Sequence, residues 1–121
     1  MIITIIDSIF NLTLFTKFLA FYSLPAPDSV LITGASSGIG RETALYFSQK
    51  GHPVIIICNK NTEGLNELKS LIKGNNGIVE SFIADVSSYE EMSDIFNILS
   101  QKNFLPDILV NNAGISHIGL L

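Results

Sequence analysis

The sequence is poor in the residues that build metal sites and disulfides. Its 121 residues include one cysteine, two histidines and no tryptophan. A single cysteine, Cys58, excludes an internal disulfide and fits a reducing compartment. It has no cysteine or histidine partner in the sequence, so we expect a buried or half-buried apolar role for it. His52 and His117 have no second ligand at metal-binding spacing, and no metal site is predicted.

Charge is also scarce, and its balance is acidic. Seven basic and eleven acidic residues give a net charge of −4. Nucleic-acid binding needs a basic patch that neutralises phosphates, so this composition argues against such a partner. An apolar fraction of 47% is enough for a core. The length allows one small domain at most.

The first 24 residues form an apolar extension that ends at Pro25-Ala26-Pro27. We expect an extra helix here, or an upstream extension that need not be folded. A membrane anchor is an alternative, although Asp7 and Lys17 fall inside the window of about 20 apolar residues that a span requires. A cleaved signal is a poorer alternative, because residues 1–7 contain no basic residue. Residues 25–28 are expected to be a linker.

Strand-like and helix-like segments alternate after the linker. We predict strands over residues 30–33, 54–57, 78–83 and 108–110. The continuous β-branched run Val54–Ile57 is typical of a strand buried on both faces of a parallel sheet. Strands joined by helices through short loops imply right-handed βαβ units. The predicted fold class is therefore α/β, the first half of a Rossmann-type doubly wound parallel sheet with about four strands and three helices. Ligand is expected at the carboxyl ends of the strands, near the switch in strand order.

Three helices are predicted between these strands, each with a start or stop signal. The first covers Arg41–Lys50, and Gly51 suits its C′ position. The second follows a cap at Asn61 or Thr62. The third starts at a capping box of the form Ser-x-x-Glu over residues 87–90. The second and third helices have apolar residues at helical spacing that are expected to be buried: Leu65, Leu68 and Ile72, and Met92, Ile95, Phe96 and Leu99.

A glycine-rich turn joins the first predicted strand to the first predicted helix. Gly34 permits a tight turn, Gly38 lets backbone N–H groups approach a pyrophosphate, and Gly40 lets the helix pack close to the strand. The helix N-terminus adds unpaired N–H donors and a partial positive charge. Ser36 and Ser37 add hydroxyl donors. The predicted phosphate-binding residues are Gly34, Ser36, Ser37, Gly38, Ile39 and Gly40.

Two more segments follow the later strands: Asp85-Val86 after the third, and Asn111-Asn112-Ala113-Gly114 after the fourth. Together with the Gly-x-x-x-Gly-x-Gly turn, they resemble the short-chain dehydrogenase/reductase family from Asp28 to the end of the chain. Residues 111–120 look like the bacterial 3-oxoacyl-acyl-carrier-protein reductase branch of that family. The resemblance implies reversible hydride transfer between a nicotinamide cofactor and a small carbonyl or alcohol substrate.

The resemblance also implies roles for individual residues in these segments. Asp85 would accept a hydrogen bond from the adenine amino group, with help from the backbone of Val86. The alternative for Asp85 is an acid stabilised by the dipole of the following helix. Asn112 would tie neighbouring strands together and lie near the cofactor. Ala113 and Gly114 would lie closest to the ribose and nicotinamide.

The end of the second predicted strand bears on the choice between NADP and NAD. Residues 58–61 contain no carboxylate that would hydrogen-bond a ribose 2′-hydroxyl and repel a 2′-phosphate. Asn59 and Lys60 are therefore predicted cofactor contacts, and Lys60 would meet a 2′-phosphate as a point charge. An ordinary solvated lysine is the alternative. Ser37 stands where many members that use NADP carry a basic residue, but on balance NADP is favoured over NAD.

No catalytic residue is predicted. In the family that the sequence resembles, a serine, a Tyr-x-x-x-Lys pair and a further asparagine follow the Asn-Ala-Gly segment, and this chain ends at Leu121. Residues 29–121 are expected to be a partial NAD(P)-binding domain, so whether the chain is an enzyme stays open. The alternatives are a non-catalytic or unstable nucleotide-binding fragment, and a membrane-anchored lipid-carbonyl reductase of the same family. We expect a cytoplasmic location, with membrane association as the alternative. The resemblance implies a homo-oligomer for the full-length parent.

Overall fold

The structure is a computed structural model that describes residues 2–4 and 28–113. Its strands β1 to β5 are Ile2–Thr4, Val30–Thr33, Val54–Cys58, Val79–Ile83 and Ile108–Asn111. Its helices α1 to α3 are Gly38–Gln49, Thr62–Gly74 and Tyr89–Gln101. Helices and the strands β2 to β5 alternate along the chain as predicted, which confirms the α/β class.

All five strands are parallel and form one sheet in the order β1-β5-β2-β3-β4. The chain runs outward from β2 through β3 to β4 and then returns to place β5 on the other side of β2. The switch in strand order therefore lies between β2 and β5. In doubly wound sheets, the crevice at this switch is where ligands bind.

One face of the sheet packs against α1 and α2. Residues such as Phe47 of α1 and Leu68 of α2 lie in one buried cluster with Ile32 and Ile56 of the sheet. Leu65 and Ile72 belong to the same cluster, so the predicted stripe of the second helix is confirmed. Every residue of β3 is buried, as its β-branched run predicts. This cluster fixes α1 and α2 against the strands whose ends carry the predicted site.

The opposite face carries a smaller buried cluster beneath α3. It joins Ile95 and Leu99 of the helix to Leu31, Ile55 and Ile57 of the sheet, and Met92 packs against it. Phe96, which we predicted to be buried, is 37% exposed. It lies on the flank of the Ile95–Leu99 stripe, and no other described helix packs beside α3 on this face.

Two predicted helix starts need correction. Helix α1 begins at Gly38 rather than Arg41, because the glycine turn itself enters the helix. The N-cap of α3 is Ser88 rather than Ser87, and its Oγ accepts the N–H of Glu91 at 3.3 Å. Ser87 does not cap α3, because its hydroxyl donates to Asp85 Oδ1 at 2.7 Å instead.

The apolar extension contributes β1, which pairs in parallel with β5. Residues 2–4 thus form a strand and not part of the extra helix that was one of the expectations for residues 1–24, and the β-branched run Ile2-Ile3-Thr4 is typical of a strand. Residues 5–27, including most of the predicted linker, lie outside the described residues. None of the described helices is long and apolar enough to cross a membrane.

Candidate functional site

The glycine turn lies at the carboxyl end of β2 and crosses the end of β3. Ala35 N donates to Ile57 O at 3.1 Å, which holds the turn against the neighbouring strand. Gly34 has a φ of +64°, a left-handed conformation that side chains with a Cβ adopt rarely. The tight turn predicted at Gly34 is therefore present.

Gly40 is the position at which α1 packs closest to the sheet. A Cβ here would overlap the carbonyl oxygen of Gly34 and would lie 2.6 Å from Asn112 Nδ2. Both neighbours belong to strand ends, so no other residue type fits without moving α1. The predicted close packing at Gly40 is present.

The N-terminus of α1 is open. Its N-cap, Ser37, is in an extended conformation and makes no side-chain capping bond. The first amide bonded at this end is Arg41 N, which donates to Ser37 O at 3.4 Å. Among the described residues, the N–H groups of Gly38, Ile39 and Gly40 have no acceptor. A Cβ on Gly38 would meet no atom of the described residues within 4 Å, so those residues leave the position beside Gly38 open.

The two serines of the turn differ in what they can offer a ligand. Ser37 is exposed, whereas Ser36 is half-buried and lies near the Cys58 thiol, which donates to Asn61 O at 3.4 Å. Burial raises the pKa of that thiol, and the nearby Ser36 side chain and the bond to the Asn61 carbonyl offset this only in part. Cys58 is buried, as predicted. Ser36 therefore supports the end of β3, and Ser37 is the freer hydroxyl.

Thr33 and Asn112 join the ends of β2 and β5. Thr33 Oγ1 accepts the N–H groups of Asn112 at 3.0 Å and Ala113 at 2.9 Å. Asn112 Nδ2 donates to Gly34 O at 3.2 Å, so the predicted tie between neighbouring strands is present. Sequence reasoning gave Thr33 no role, because its hydrogen-bonding partners are about 80 residues away in the chain. Gly114 lies outside the described residues.

Asp85 lies in a hydrogen-bonded turn after β4. Its Oδ1 accepts the N–H of Ser87 at 2.9 Å and the Ser87 hydroxyl at 2.7 Å. These bonds lower the pKa of Asp85, and the charge of nearby Lys60 lowers it further. The N–H of Asp85 donates to Glu91 Oε2 at 2.6 Å. Sequence reasoning missed Glu91, although it stands three residues after the true N-cap.

The end of β3 leads into the first turn of α2. Asn59 and Lys60 are exposed. Asn61 caps α2, and its Oδ1 accepts the N–H of Gly64 at 3.0 Å. A Cβ on Gly64 would lie 2.7 Å from Ser36 O, so α2 begins against the glycine turn. The structure thus brings the glycine turn, residues 59–60, the Asp85-Val86 turn and residues 112–113 to one edge of the sheet.

Other polar residues lie away from this edge. Tyr46 and Lys50 have the spacing of a Tyr-x-x-x-Lys pair, which sequence reasoning missed. They lie toward the carboxyl end of α1, roughly 12 Å and 18 Å along the helix axis from Gly38. The ammonium of Lys50 lies 5.7 Å from the centre of the Tyr46 ring, a cation–π arrangement. His52 is buried and its Nδ1 lies 2.8 Å from Asp28 O, which fits the predicted structural role. His117 lies outside the described residues.

Comparison with known families and proteins gives a consistent picture. A model of the short chain dehydrogenase family matches residues 28–120. An NADPH-dependent pterin aldehyde reductase of Arabidopsis thaliana is 40% identical over 93 residues, which cover 76% of this chain and 37% of the relative. A 3-oxoacyl-acyl-carrier-protein reductase of Thermotoga maritima is 37% identical over 91 residues, with 75% of this chain and 37% of the relative covered.

Solved structures share the fold. The crystal structure of an actinorhodin polyketide ketoreductase with NADPH has a TM-score of 0.67 and 29% identity, over 74% of this chain and 34% of that chain. The apo form of LigD from Sphingobium sp. strain SYK-6 has a TM-score of 0.67 at 21% identity, over 73% of this chain and 37% of that chain. A probable oxidoreductase of Mycobacterium tuberculosis, 39% identical, is matched over 15% of its length. The chain therefore spans at most 37% of the length of these relatives.

Proposed function

The chain belongs to the short-chain dehydrogenase family, as its motifs predicted, and we propose that it binds a nicotinamide dinucleotide at the carboxyl edge of its sheet. The observation that carries this proposal is the open N-terminus of α1. Among the described residues, three backbone N–H groups there have no acceptor, and a Cβ on Gly38 would meet no atom of those residues within 4 Å. Backbone donors and the helix dipole together favour a phosphate group at such a position.

The pyrophosphate would lie against Gly38, Ile39 and Gly40. A glycine at position 38 lets an anion approach the backbone without meeting a Cβ. The Ser37 hydroxyl is exposed and adds a donor to the same cradle. The hydrogen-bond donors of this cradle are uncharged. They are unpaired backbone N–H groups, which bind pyrophosphates at helix N-termini. The residues present therefore fit the group.

The two ends of the dinucleotide would lie on either side of this cradle. Asp85 and Val86 would receive the adenine, and Lys60 and Asn59 the ribose beside it. Asn112 and Ala113, with Gly114 beyond the described residues, would receive the nicotinamide half. Support comes from the sheet order, because β5, which precedes Asn112, lies on one side of β2, whereas β3 and β4, which precede Lys60 and Asp85, lie on the other.

The proposed activity of the whole protein is hydride transfer between this cofactor and a carbonyl or alcohol. The bound nicotinamide supplies the hydride chemistry, and the described residues bind and orient it. Relatives named as reductases of a pterin aldehyde and of a 3-oxoacyl group support a carbonyl substrate. No described residue is assigned to the chemical step.

For the cofactor itself, we propose NADP rather than NAD. The loop after β3 carries Lys60 and no carboxylate before α2, and two of the proteins to which the chain is similar are named with NADPH. Lys60→Glu should reduce affinity for NADPH about tenfold relative to NADH, because a carboxylate repels a 2′-phosphate. Lys73→Glu, at the far end of α2, changes the same charge and should leave the ratio unchanged. An unchanged ratio in Lys60→Glu would contradict the assignment.

Titration of the purified chain with NADPH and NADH, followed by fluorescence, tests the proposed function. A circular dichroism melt on the same sample shows whether the chain folds cooperatively. Saturable binding with a cooperative melt supports the proposal. A cooperative melt without binding of either cofactor would overturn it, and loss of both would favour an unstable fragment of the family.

A further inference from the structure

Glu91 forms a hydrogen bond across the turn that follows β4. Its Oε2 accepts the N–H of Asp85 at 2.6 Å. A glutamate three residues after an N-cap serine ordinarily turns back to the N–H of the cap residue itself. Here the N-cap is Ser88, and the Glu91 side chain instead accepts the N–H of Asp85, which stands three residues before the cap. The Glu91 side chain therefore links the first turn of α3 to the carboxyl end of β4.

Both ends of this link are held by other bonds. Glu91 N donates to Ser88 Oγ at 3.3 Å, which fixes the start of α3. On the strand side, Ala84 N donates to Cys58 O at 2.8 Å, which continues the pairing of β4 with β3 up to the residue before Asp85. Because helix and strand are both fixed, the bond from Glu91 fixes the orientation of the peptide that carries the Asp85 N–H.

In the turn that follows β4, one hydrogen-bond acceptor and one donor remain without a partner among the described residues. Asp85 Oδ1 accepts from Ser87, and Asp85 O accepts the N–H of Ser88 at 2.9 Å. Among the described residues, Asp85 Oδ2 and the N–H of Val86 have no partner. An acceptor beside a donor matches the edge of adenine, whose amino group donates and whose adjacent ring nitrogen accepts.

We propose that Glu91 is a positioning residue for adenine recognition. This proposal rests on the dinucleotide site proposed above. By holding the Asp85 peptide, Glu91 sets the direction of the Asp85 side chain and of the next peptide, which carries the Val86 N–H. Without the bond, the acceptor and the donor lose their common orientation toward one base edge. Glu91 acts through Asp85 and Val86 and does not contact the ligand.

The test compares NADPH with its hypoxanthine analogue, in which a carbonyl replaces the amino group and the adjacent ring nitrogen carries a proton. The wild-type chain should prefer NADPH by about tenfold, because the analogue reverses both hydrogen-bonding partners. Glu91→Ala should reduce this preference to about twofold. Glu91→Gln should restore it, since the amide oxygen accepts the same N–H. Dissociation constants come from fluorescence titration, and melting temperatures are recorded for each variant.

Glu90→Ala is the matched control. Glu90 is also exposed in the first turn of α3, and its side chain makes no hydrogen bond within the described residues. Its removal changes the net charge by the same amount as Glu91→Ala and should leave the preference at the wild-type value. An unchanged preference in Glu91→Ala would overturn the proposal. An equal loss in Glu90→Ala would overturn it too, because charge rather than position would then be the cause.

A second measurement separates this inference from the proposed function. Amide hydrogen exchange in the free chain reports the bond between Glu91 and Asp85 without any ligand. Slower exchange of the Asp85 amide in the wild type than in Glu91→Ala supports the positioning role. Equal rates would overturn that role even if NADPH binds. A protected Asp85 amide in a chain that binds neither dinucleotide would overturn the dinucleotide site, and adenine recognition with it.

Discussion

The N-termini of α1 and α3 lie at the same edge of the sheet, but they differ in side-chain capping. At α3, the Ser88 hydroxyl accepts the N–H of Glu91. At α1, the Ser37 side chain makes no capping bond, and no atom of the described part of the chain lies within 4 Å of where a Cβ on Gly38 would stand. The difference teaches that a helix N-terminus is a candidate ligand site when its own chain leaves the donors unpaired and the approach open.

The start of α2 follows the pattern of α3. Asn61 caps it through a bond to the N–H of Gly64. Its first turn lies so close to the glycine turn that a Cβ on Gly64 would be 2.7 Å from Ser36 O. Both capped helices therefore follow the uncapped one in the chain.

The largest expected effect on this comparison comes from Gly40→Ala, which should displace α1. The new Cβ would overlap the Gly34 carbonyl oxygen and lie 2.6 Å from Asn112 Nδ2. We expect a loss of about 2–3 kcal/mol in the free energy of unfolding and a Tm lower by about 10 °C. Gly74→Ala is the control, since its Cβ meets nothing within 4 Å; it should be neutral or stabilise by about 0.5 kcal/mol. If Gly40→Ala unfolds at the same Tm as the wild type, the close packing at residue 40 is contradicted.

Ser37→Asp should make the N-terminus of α1 resemble that of α3. The carboxylate can accept the unpaired N–H groups and favours the helix dipole, so the free chain should gain about 0.5–1 kcal/mol of stability. The same charge would repel a pyrophosphate, and affinity for NADPH should fall about tenfold or more. Ser70→Asp, on the exposed surface of α2, adds an equal charge and should change affinity less than about twofold. Unchanged NADPH affinity in Ser37→Asp would count against phosphate binding at α1.

Alanine substitution of the two N-cap serines compares the helix starts directly. Ser88→Ala removes the bond to Glu91 N and should cost about 1 kcal/mol of stability. Ser37→Ala removes no capping bond, so the free chain should melt within about 0.5 kcal/mol of the wild type. Urea unfolding curves measure both. Equal costs at the two positions would show that Ser37 caps α1 after all.

The smallest expected effect concerns the pH dependence at the turn before α3. Ser87 lowers the pKa of Asp85, so the charged carboxylate contributes stability above its unfolded pKa of about 3.9 and loses it as pH falls through the lower folded value. Ser87→Ala should raise the pKa of Asp85 toward its usual value, and Asp85→Asn should flatten the stability profile below about pH 4. NMR titration of the Asp85 carboxyl carbon measures the shift. Ser70→Ala serves as the control and should leave that pKa unchanged.

Local sequence determines much of this fold but not which of two adjacent serines caps α3. The run Val54–Cys58 is predictable, because its unbroken apolar sequence fits a strand buried on both faces. Ser87 and Ser88 each have a glutamate three residues later, so both satisfy the capping-box pattern. Asp85 decides between them in the structure, because it accepts the Ser87 hydroxyl.

The candidate site is predictable in its motifs and not in its long-range bonds. The turn from Gly34 to Gly40 follows from glycine spacing between a strand and a helix. The bonds from Asn112 and Ala113 to Thr33 join positions about 80 residues apart, and no local pattern contains them. The exposure of Phe96 likewise depends on what packs beside α3, which the residues of that helix alone do not determine.

The central claim is that the open first turn of α1 binds the phosphates of a nicotinamide dinucleotide. Backbone amide chemical shifts of the chain, recorded by NMR during titration with NADPH, test it most directly. We predict saturable shifts that are largest at Gly38, Ile39 and Gly40, with smaller changes at the capped first turn of α3, residues 89–91. Saturable binding that leaves the amides of residues 38–40 unmoved would contradict the claim, as would the absence of any shift in a folded chain.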